Sequence, residues 1–425
     1  MSQLSWKGPE MASPAPAWEA FAPSAAAPAG PVEPVLPVEP PASVPAARPG
    51  RDRYLDMLRA LALGRVITYH LFGWAWLPFL FPSMGVMFAL AGSLMARSLS
   101  RPALQVIRGR LRRLLPPMWL FGVLLIAGMV SQGWSPSADG NPARWWLRML
   151  FWIVPFSEPP YAADMPEIPG LLDTTWAMQM AVPLWYLRAY LWFVLASPLL
   201  LRAVRRFPWP TVLAPLAVSW FLSSGLVPYL EGRAGEALRD FTTFAACWLL
   251  GFAHNEGVLK RLPGYLAPSI APFILGFGFW WATSHPTEDG YDLDSIPFAQ
   301  AVWSFGFVLM LLQLSPSWTS WPPKLERWNG LISLLNARAV TVYLWHIPAL
   351  IAAIALREQG WRIDWLGDNM PWLLNSRWLA LGLSLPLIAL VVLLFGWMED
   401  VAAKRRPRLF PWPRVVRPTR VHRRA

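Results

Sequence analysis

The chain has 425 residues, 55% hydrophobic and 15% charged, with a formal net charge of +12 and a positive mean hydropathy. A soluble domain carries about 25% charged residues, so an ordinary water-soluble globule is excluded. The basic residues sit in short clusters between apolar segments and in a tail, which points to membrane topology and not to nucleic acid.

Residues 1–50 are rich in Pro and Ala and show no periodicity, so they read as a disordered tail, either solvated or used to dock a partner. They lack the basic start and apolar core of a cleavable signal peptide. Residues 51–403 read as one polytopic membrane domain, and 404–425 as a basic cytoplasmic tail. The one cysteine, Cys247, rules out an intramolecular disulfide and a cysteine-based metal site. The 28 tryptophans suit aromatic belts at a membrane surface.

Apolar segments near 54–72, 78–96, 116–132, 183–201, 210–228, 241–257, 265–284, 297–315, 339–356 and 375–398 approach the roughly 20 residues that cross a bilayer. An eleventh, 143–156, is short and carries two arginines. Arg97, Arg101, Arg108, Arg110, Arg112 and Arg113 place the connection after the second segment in the cytoplasm. The loop 157–181, with Glu158, Asp164, Glu167 and Asp173 and no Lys or Arg, then lies outside only if 143–156 re-enters or lies along the interface. On that basis Arg202, Lys260, Lys324, Arg338 and the tail from Lys404 fall inside, and the acidic stretch EDGYDLD (288–294) outside. That stretch fails the EF-hand pattern and reads as a solvated loop. The expectation is an all-α integral membrane protein. It has about ten transmembrane helices, one short re-entrant or interfacial helix and both termini in the cytoplasm.

Four places carry candidate chemistry. In RYLDMLRALALGRVITYH (53–70), Arg59 and His70 are eleven residues apart. On a helix that is three turns plus roughly 20° and a rise of about 16 Å, so both lie on one face. Arginine within a membrane helix costs about 2.5–3.5 kcal/mol at the centre. The pair therefore suggests either a ligand spanning that distance, or a snorkelling Arg and a His bonded to backbone. Asp56, one turn before Arg59, is placed to pair with it. In VIRGRLRRLLPP, four arginines precede Pro116 and Pro117. Proline suits a helix start, and arginines beside such a start suit phosphate or simply anionic lipid. His346 lies within a helix two residues before Pro348, as a substrate contact or a helix–helix hydrogen bond. Arg188, flanked by Trp185 and Tyr190, meets an acceptor, a neighbouring carboxylate or the interface.

Together these pieces resemble acyltransferase family three, a family of integral-membrane acyltransferases, over roughly residues 53–405. LDMLRALALGRVITYH fits the family's opening leucine-arginine-alanine with a histidine eleven after the arginine. GVMFALAGSLMARSL resembles its second helix, with Ala91-Gly92 in place of serine-glycine. RLRRLLPP resembles its arginine-x-x-proline element, VYLWHIP its tyrosine-leucine-x-histidine element, and WMEDVAAKRRP its closing glutamate and basic tail. Many members have a tryptophan-serine-leucine followed by glutamate. Here Trp185-Tyr186-Leu187-Arg188 resembles the branch with arginine, so an acid role for that glutamate does not carry over.

The resemblance implies acyl transfer, often acetyl, from cytoplasmic acyl-CoA to a hydroxyl of an envelope carbohydrate or a secondary metabolite. It implies a multi-pass protein of the plasma (inner) membrane. Acyl-CoA is then a co-substrate, with no bound cofactor and no metal. His70 is the expected general base, or a transient acyl carrier, and Arg59 orients the donor or stabilises oxyanion charge. Arg113, Arg110 and Arg97 hold CoA phosphates, while His346, Arg188, Tyr343, Asp56 and Trp185 serve the acceptor side or support the site. A transporter or flippase of a lipid-linked glycan is the alternative, since buried Arg and His also mark transport paths. No inverted repeat or matched pair of broken helices supports it. A scaffold or sensor acting through the tail is a third reading.

Overall fold

The computed structural model describes residues 52–135, 142–162, 174–228, 232–316, 318 and 320–409. Asp164, Glu167 and Asp173, residues 1–50 and the tail beyond 409 lie outside the described residues. Contacts group residues 51–425 as one unit. The described residues are helical, with a single isolated bridge, Thr287–Gly290, in the acidic loop.

Eleven helices form the frame: α1 (Arg53–Phe72), α2 (Ser83–Ser98), α3 (Ala103–Ser131), α4 (Pro142–Ile153), α5 (Leu184–Arg206), α6 (Pro208–Ser223), α7 (Gly232–Asn255), α8 (Leu266–Ser284), α9 (Pro297–Gln313), α10 (Ala339–Gln359) and α11 (Arg377–Phe395). Each expected segment is therefore a helix. Six stretches among the described residues are long and apolar enough to cross a membrane: Leu77–Ser98, Ala103–Ser131, Trp176–Arg206, Leu266–Ser284, Ala339–Arg362 and Arg377–Phe395. The other four expected crossings fall short for two reasons. α6 and α9 have 16 and 17 residues, while α1 and α7 carry several charged residues along otherwise apolar faces. α4 has 12 residues, about 18 Å of helix, too short to cross.

Local chemistry sets the helix ends that matter for the site. Asp52 caps α1 by accepting from the Tyr54 N–H at 3.0 Å. Gly73 closes the helix in the left-handed conformation, φ 64°, where a Cβ would be strained. Arg377, at the start of α11, donates to the Phe72 carbonyl at 2.7 Å, satisfying a carbonyl left open at that helix end.

Two expectations are corrected. The helix containing Pro116 and Pro117 does not begin there: α3 runs unbroken from Ala103. The two prolines withhold their N–H groups from the turn above, and the arginines lie along the helix flank, not before its N-terminus. The acidic loop is not simply solvated. Asp292 is 6% exposed and accepts from the Tyr69 hydroxyl of α1 at 2.7 Å.

The core is built around α2 and α7. Gly92 faces the backbone of Trp248, and Gly251 faces the backbone of Ala89 and Ser93, with no room for a Cβ at either place. Small residues of this kind let membrane helices approach closely. Against that contact the Trp248 ring stacks on Phe193, centroids 5.1 Å apart, and its indole N–H donates to the Ser197 hydroxyl at 3.2 Å. On the outside, Phe273, Leu385 and Trp378 are more than half exposed, as a lipid-facing surface requires.

Candidate active site

α1 is continuous from Arg59 to His70, so the eleven-residue spacing does put both on one face. That face packs along residues 336–346. At one end Arg59 Nη1 donates to Asn336 Oδ1 at 2.8 Å. At the other, the His70 and His346 rings lie 5.1 Å apart. Eleven residues on α1 match ten on the neighbouring chain, so the two run side by side in the same direction. Asp56 lies 3.7 Å from Arg59, and its backbone carbonyl accepts from Asn336 Nδ2 at 2.8 Å. Asn336 thus clasps both members of the pair. It lies just ahead of α10, and no local pattern in the sequence marks it.

Two chambers occupy the two ends of this face. The arginine-rich chamber, about 350 Å³, is lined by Arg59, Arg110, Arg113, Arg405, Glu399 and Tyr186 among others. A basic cleft of about 650 Å³ with Arg108, Arg110, Arg112 and Arg113 adjoins it. Arg110 and Arg113 line both. Arg110 is held by the Leu94 carbonyl at 3.1 Å and the Ser98 hydroxyl at 3.2 Å, while Arg113 is exposed. Arg97 is also exposed, at the end of α2, and lines neither chamber.

Arg405 owes its position to a buried ion pair. Arg338 is fully buried and bonds Asp400 at 2.6 Å and the Arg408 carbonyl at 2.6 Å. Asp400 in turn accepts from the Arg408 N–H, and its carbonyl from the Arg405 N–H. Arg338 reads in the sequence as a topology marker, but it anchors this wall. Glu399 accepts from the Thr341 N–H and hydroxyl at 2.7 and 2.6 Å. Burial pushes its carboxyl up to about 7 despite those donors.

The histidine chamber, about 400 Å³, is lined by His70, Arg65, Asp294, Asp240, Gln179 and Trp185 among others. His346 is 1% exposed. Its Nδ1 lies 2.5 Å from the Tyr343 carbonyl, which cannot donate, so Nδ1 carries a proton and, in the neutral imidazole, Nε2 the lone pair. Among the described residues Nε2 has no hydrogen-bond partner. Arg188 is buried and pairs with Asp240 at 2.6 Å, the neighbouring carboxylate among its expected partners. Trp185 lines this chamber and an adjoining pocket containing Glu158 and Glu236. Among the described residues no three His, Cys, Asp or Glu side chains gather as a metal set.

Tyr343 lines both chambers. Its ring packs 4.9 Å from Tyr186 and 5.5 Å from His346. A long, thin ligand anchored among the arginines meets this ring before it meets His70. The chemistry available is therefore an anion-binding hollow at one end and an imidazole pair at the other. Arg65, between Arg59 and His70 on α1, and Tyr186, next to Trp185, join the site, while Asp240 and Asp294 reach it from distant segments.

No curated protein and no solved structure matches the chain. Residues 52–397 match the family model for an acyltransferase domain. That region contains Arg59, His70, both chambers' arginines except Arg405, and His346. The chain belongs to acyltransferase family three and is an integral-membrane acyltransferase.

Proposed function

We propose that the protein moves an acyl group, acetyl in the first instance, from acyl-CoA to a hydroxyl of a carbohydrate or secondary-metabolite acceptor. One observation carries the reading: Tyr343 walls both the arginine-rich and the histidine chamber, so a donor seated in one can present its thioester to the other. The phosphates of CoA suit Arg113, Arg110 and Arg59, which make charge-assisted bonds to such groups. The acyl-pantetheine arm runs along α1 toward His70.

In the reaction His70 accepts the proton of the acceptor hydroxyl. The oxygen attacks the thioester carbonyl, the new ester C–O bond forms, the C–S bond breaks, and CoA leaves as the thiol after taking up the proton. A neutral imidazole, ordinarily of pKa about 6.5, suits proton abstraction near neutral pH. His346, with Nε2 unprotonated, supports His70 or receives the hydroxyl with it. Tyr343, Trp185, Arg188 and Asp56 shape and fix the site.

The arginine-rich chamber faces the cytoplasm in this proposal, because the basic connections cluster at that end of the chain's helices. Both termini then lie inside, with ten crossings of the plasma membrane and α4 at the interface. Two hollows meeting at one ring also suit a transporter of a lipid-linked glycan, the competing reading.

Thiol release from acetyl-CoA by purified protein, with a crude envelope-glycan and lipid extract as acceptor, separates the two. Extract-dependent release by wild type, lost in His70→Ala, is expected. Equal release by both removes His70 as the base. Acyl-CoA binding absent from wild type favours transport.

A further inference from the structure

Arg65 stands outside the pair that defines the opening motif, yet it is the most conspicuous cation of the histidine chamber. It sits in the middle of α1 with a side chain 7% exposed. Its guanidinium lies over the Tyr69 ring, 4.6 Å from the centroid. Its nearest carboxylate oxygen is Asp294 Oδ2, 4.0 Å away, beyond hydrogen-bond reach. Among the described residues, Nε and Nη2 have no hydrogen-bond partner. A buried guanidinium with two idle donors is costly unless something fills them.

The carboxylate opposite is held as firmly. Asp294 accepts from Gln300 Nε2 at 2.6 Å through Oδ1, and its own N–H donates to Asp292 Oδ1 at 3.0 Å. Asp292 is tied back to α1 by the Tyr69 hydroxyl at 2.7 Å. These bonds fix Asp294 beside Tyr69, with Oδ2 4.0 Å from Nη1 of Arg65. Both side chains line the same hollow as His70, and its volume of about 400 Å³ lies within the range of small-ligand pockets.

Donor and acceptor facing each other across such a gap match a hydroxyl group. Its oxygen accepts from the guanidinium, and its proton is donated to the carboxylate. A free anion is disfavoured, since Asp294 and Asp240 both line the wall. A single-hydroxyl alcohol would leave the gap empty when its one oxygen is at His70. Along α1, Arg65 and His70 are five residues apart, a rise of about 7.5 Å with the two side chains about 140° apart around the axis, and both reach the same hollow.

We propose that Arg65 and Asp294 form the acceptor-recognition pair: they bind a second hydroxyl of the acceptor whose first hydroxyl is acylated at His70, which makes the acceptor an uncharged polyol or sugar ring. This rests on the acyl-transfer reading above and adds the residues that select the acceptor.

The test uses the full-length protein in detergent with acetyl-CoA and the same extract, measuring thiol release and, separately, acetyl-CoA binding. In Arg65→Gln the extract concentration giving half-maximal release rises tenfold or more, while the Kd for acetyl-CoA is unchanged. Asp294→Asn, on the loop and not in a membrane helix, shifts the same parameter, so the result does not depend on one variant folding. Methyl glucoside and 1-propanol are then added as competitors. Methyl glucoside inhibits wild type at a concentration at least tenfold below that of propanol, and Arg65→Gln abolishes the difference. Unchanged half-saturation in both variants, or equal inhibition by the two competitors in wild type, overturns the recognition pair. Wild type that neither binds acetyl-CoA nor releases thiol overturns acyl transfer itself, an outcome distinct from either.

Discussion

The two chambers treat charge in opposite ways. Arg59, Arg110, Arg113 and Arg405 line the first against Glu399 and Asp400, and Asp400 is already committed to Arg338. In the second, Arg65 faces Asp294, and Asp240 is answered by Arg188. A surplus of cations suits a polyanionic ligand, and a balanced set of donors and acceptors suits a neutral one rich in hydroxyls. The same helix, α1, serves both: its first turns carry the arginine of one and its last turns the histidine of the other.

The largest way to break this comparison is at the histidine end. His70→Ala should lower kcat by about 10²–10⁴, the usual worth of a general base, while the Kd for acyl-CoA holds. A parallel fall in acyl-CoA affinity would mean that the two ends are not separate functions.

Arg338→Ala comes next, since it leaves Asp400 buried without its partner. Removing one member of a buried ion pair costs about 3–5 kcal/mol, read as a lowered thermal midpoint in detergent. Because Asp400 also holds the turn that positions Arg405, acyl-CoA binding should weaken in whatever fraction remains folded.

Arg113→Ala sharpens the arginine end alone. Loss of one charge-assisted bond to phosphate, about 1.5–3 kcal/mol, should weaken acyl-CoA binding about 10- to 150-fold. The half-saturating acceptor concentration should not move. Added salt should shrink the difference, since exposed charges are screened.

A smaller effect is expected from pH. Glu399, pushed up to about 7 by burial, is neutral below that pH and charged above it. As pH rises through about 7 the chamber gains a negative charge, so acyl-CoA affinity should fall a few-fold in wild type relative to Glu399→Gln, measured side by side from pH 6 to about pH 8. Parallel curves for the two proteins would remove Glu399 from the donor site. The smallest effect is expected from deleting residues 1–50, which precede the matched region 52–397; kcat and both half-saturation values should stay within about twofold. A large loss would favour the scaffold reading.

The sequence made the helices legible because apolar length and helix periodicity are local properties. It also made Arg59, His70 and His346 legible, since an ionisable residue in an apolar run stands out on its own. What it hid are pairings across tens to hundreds of residues. Asp240 is 52 positions from Arg188, Asp292 is 223 from Tyr69, and Asn336 is 277 from Arg59. Nothing in a window of 20 residues encodes such contacts. Arg65 is hidden for a subtler reason: beside the Arg59–His70 spacing it is one more charge on the same helix. Pro116 misled because proline commonly opens helices, yet in a membrane, neighbours can repair the bonds it breaks.

Tyr343 has a consequence beyond reach and fit. A protein hollowed from two ends of one helix is a conduit for protons unless the hollows are divided, and a membrane voltage acts on each leaking charge with about 2.3 kcal/mol per 100 mV. Tyr343 lines both hollows, a phenol ring 5% exposed that leans on that of Tyr186, 4.9 Å away. On the acyl-CoA reading proposed above, that ring would interrupt a file of water yet let a thin, uncharged thioester arm pass by displacing it. The enzyme would thus pass a chemical group between the two sides while keeping them electrically apart.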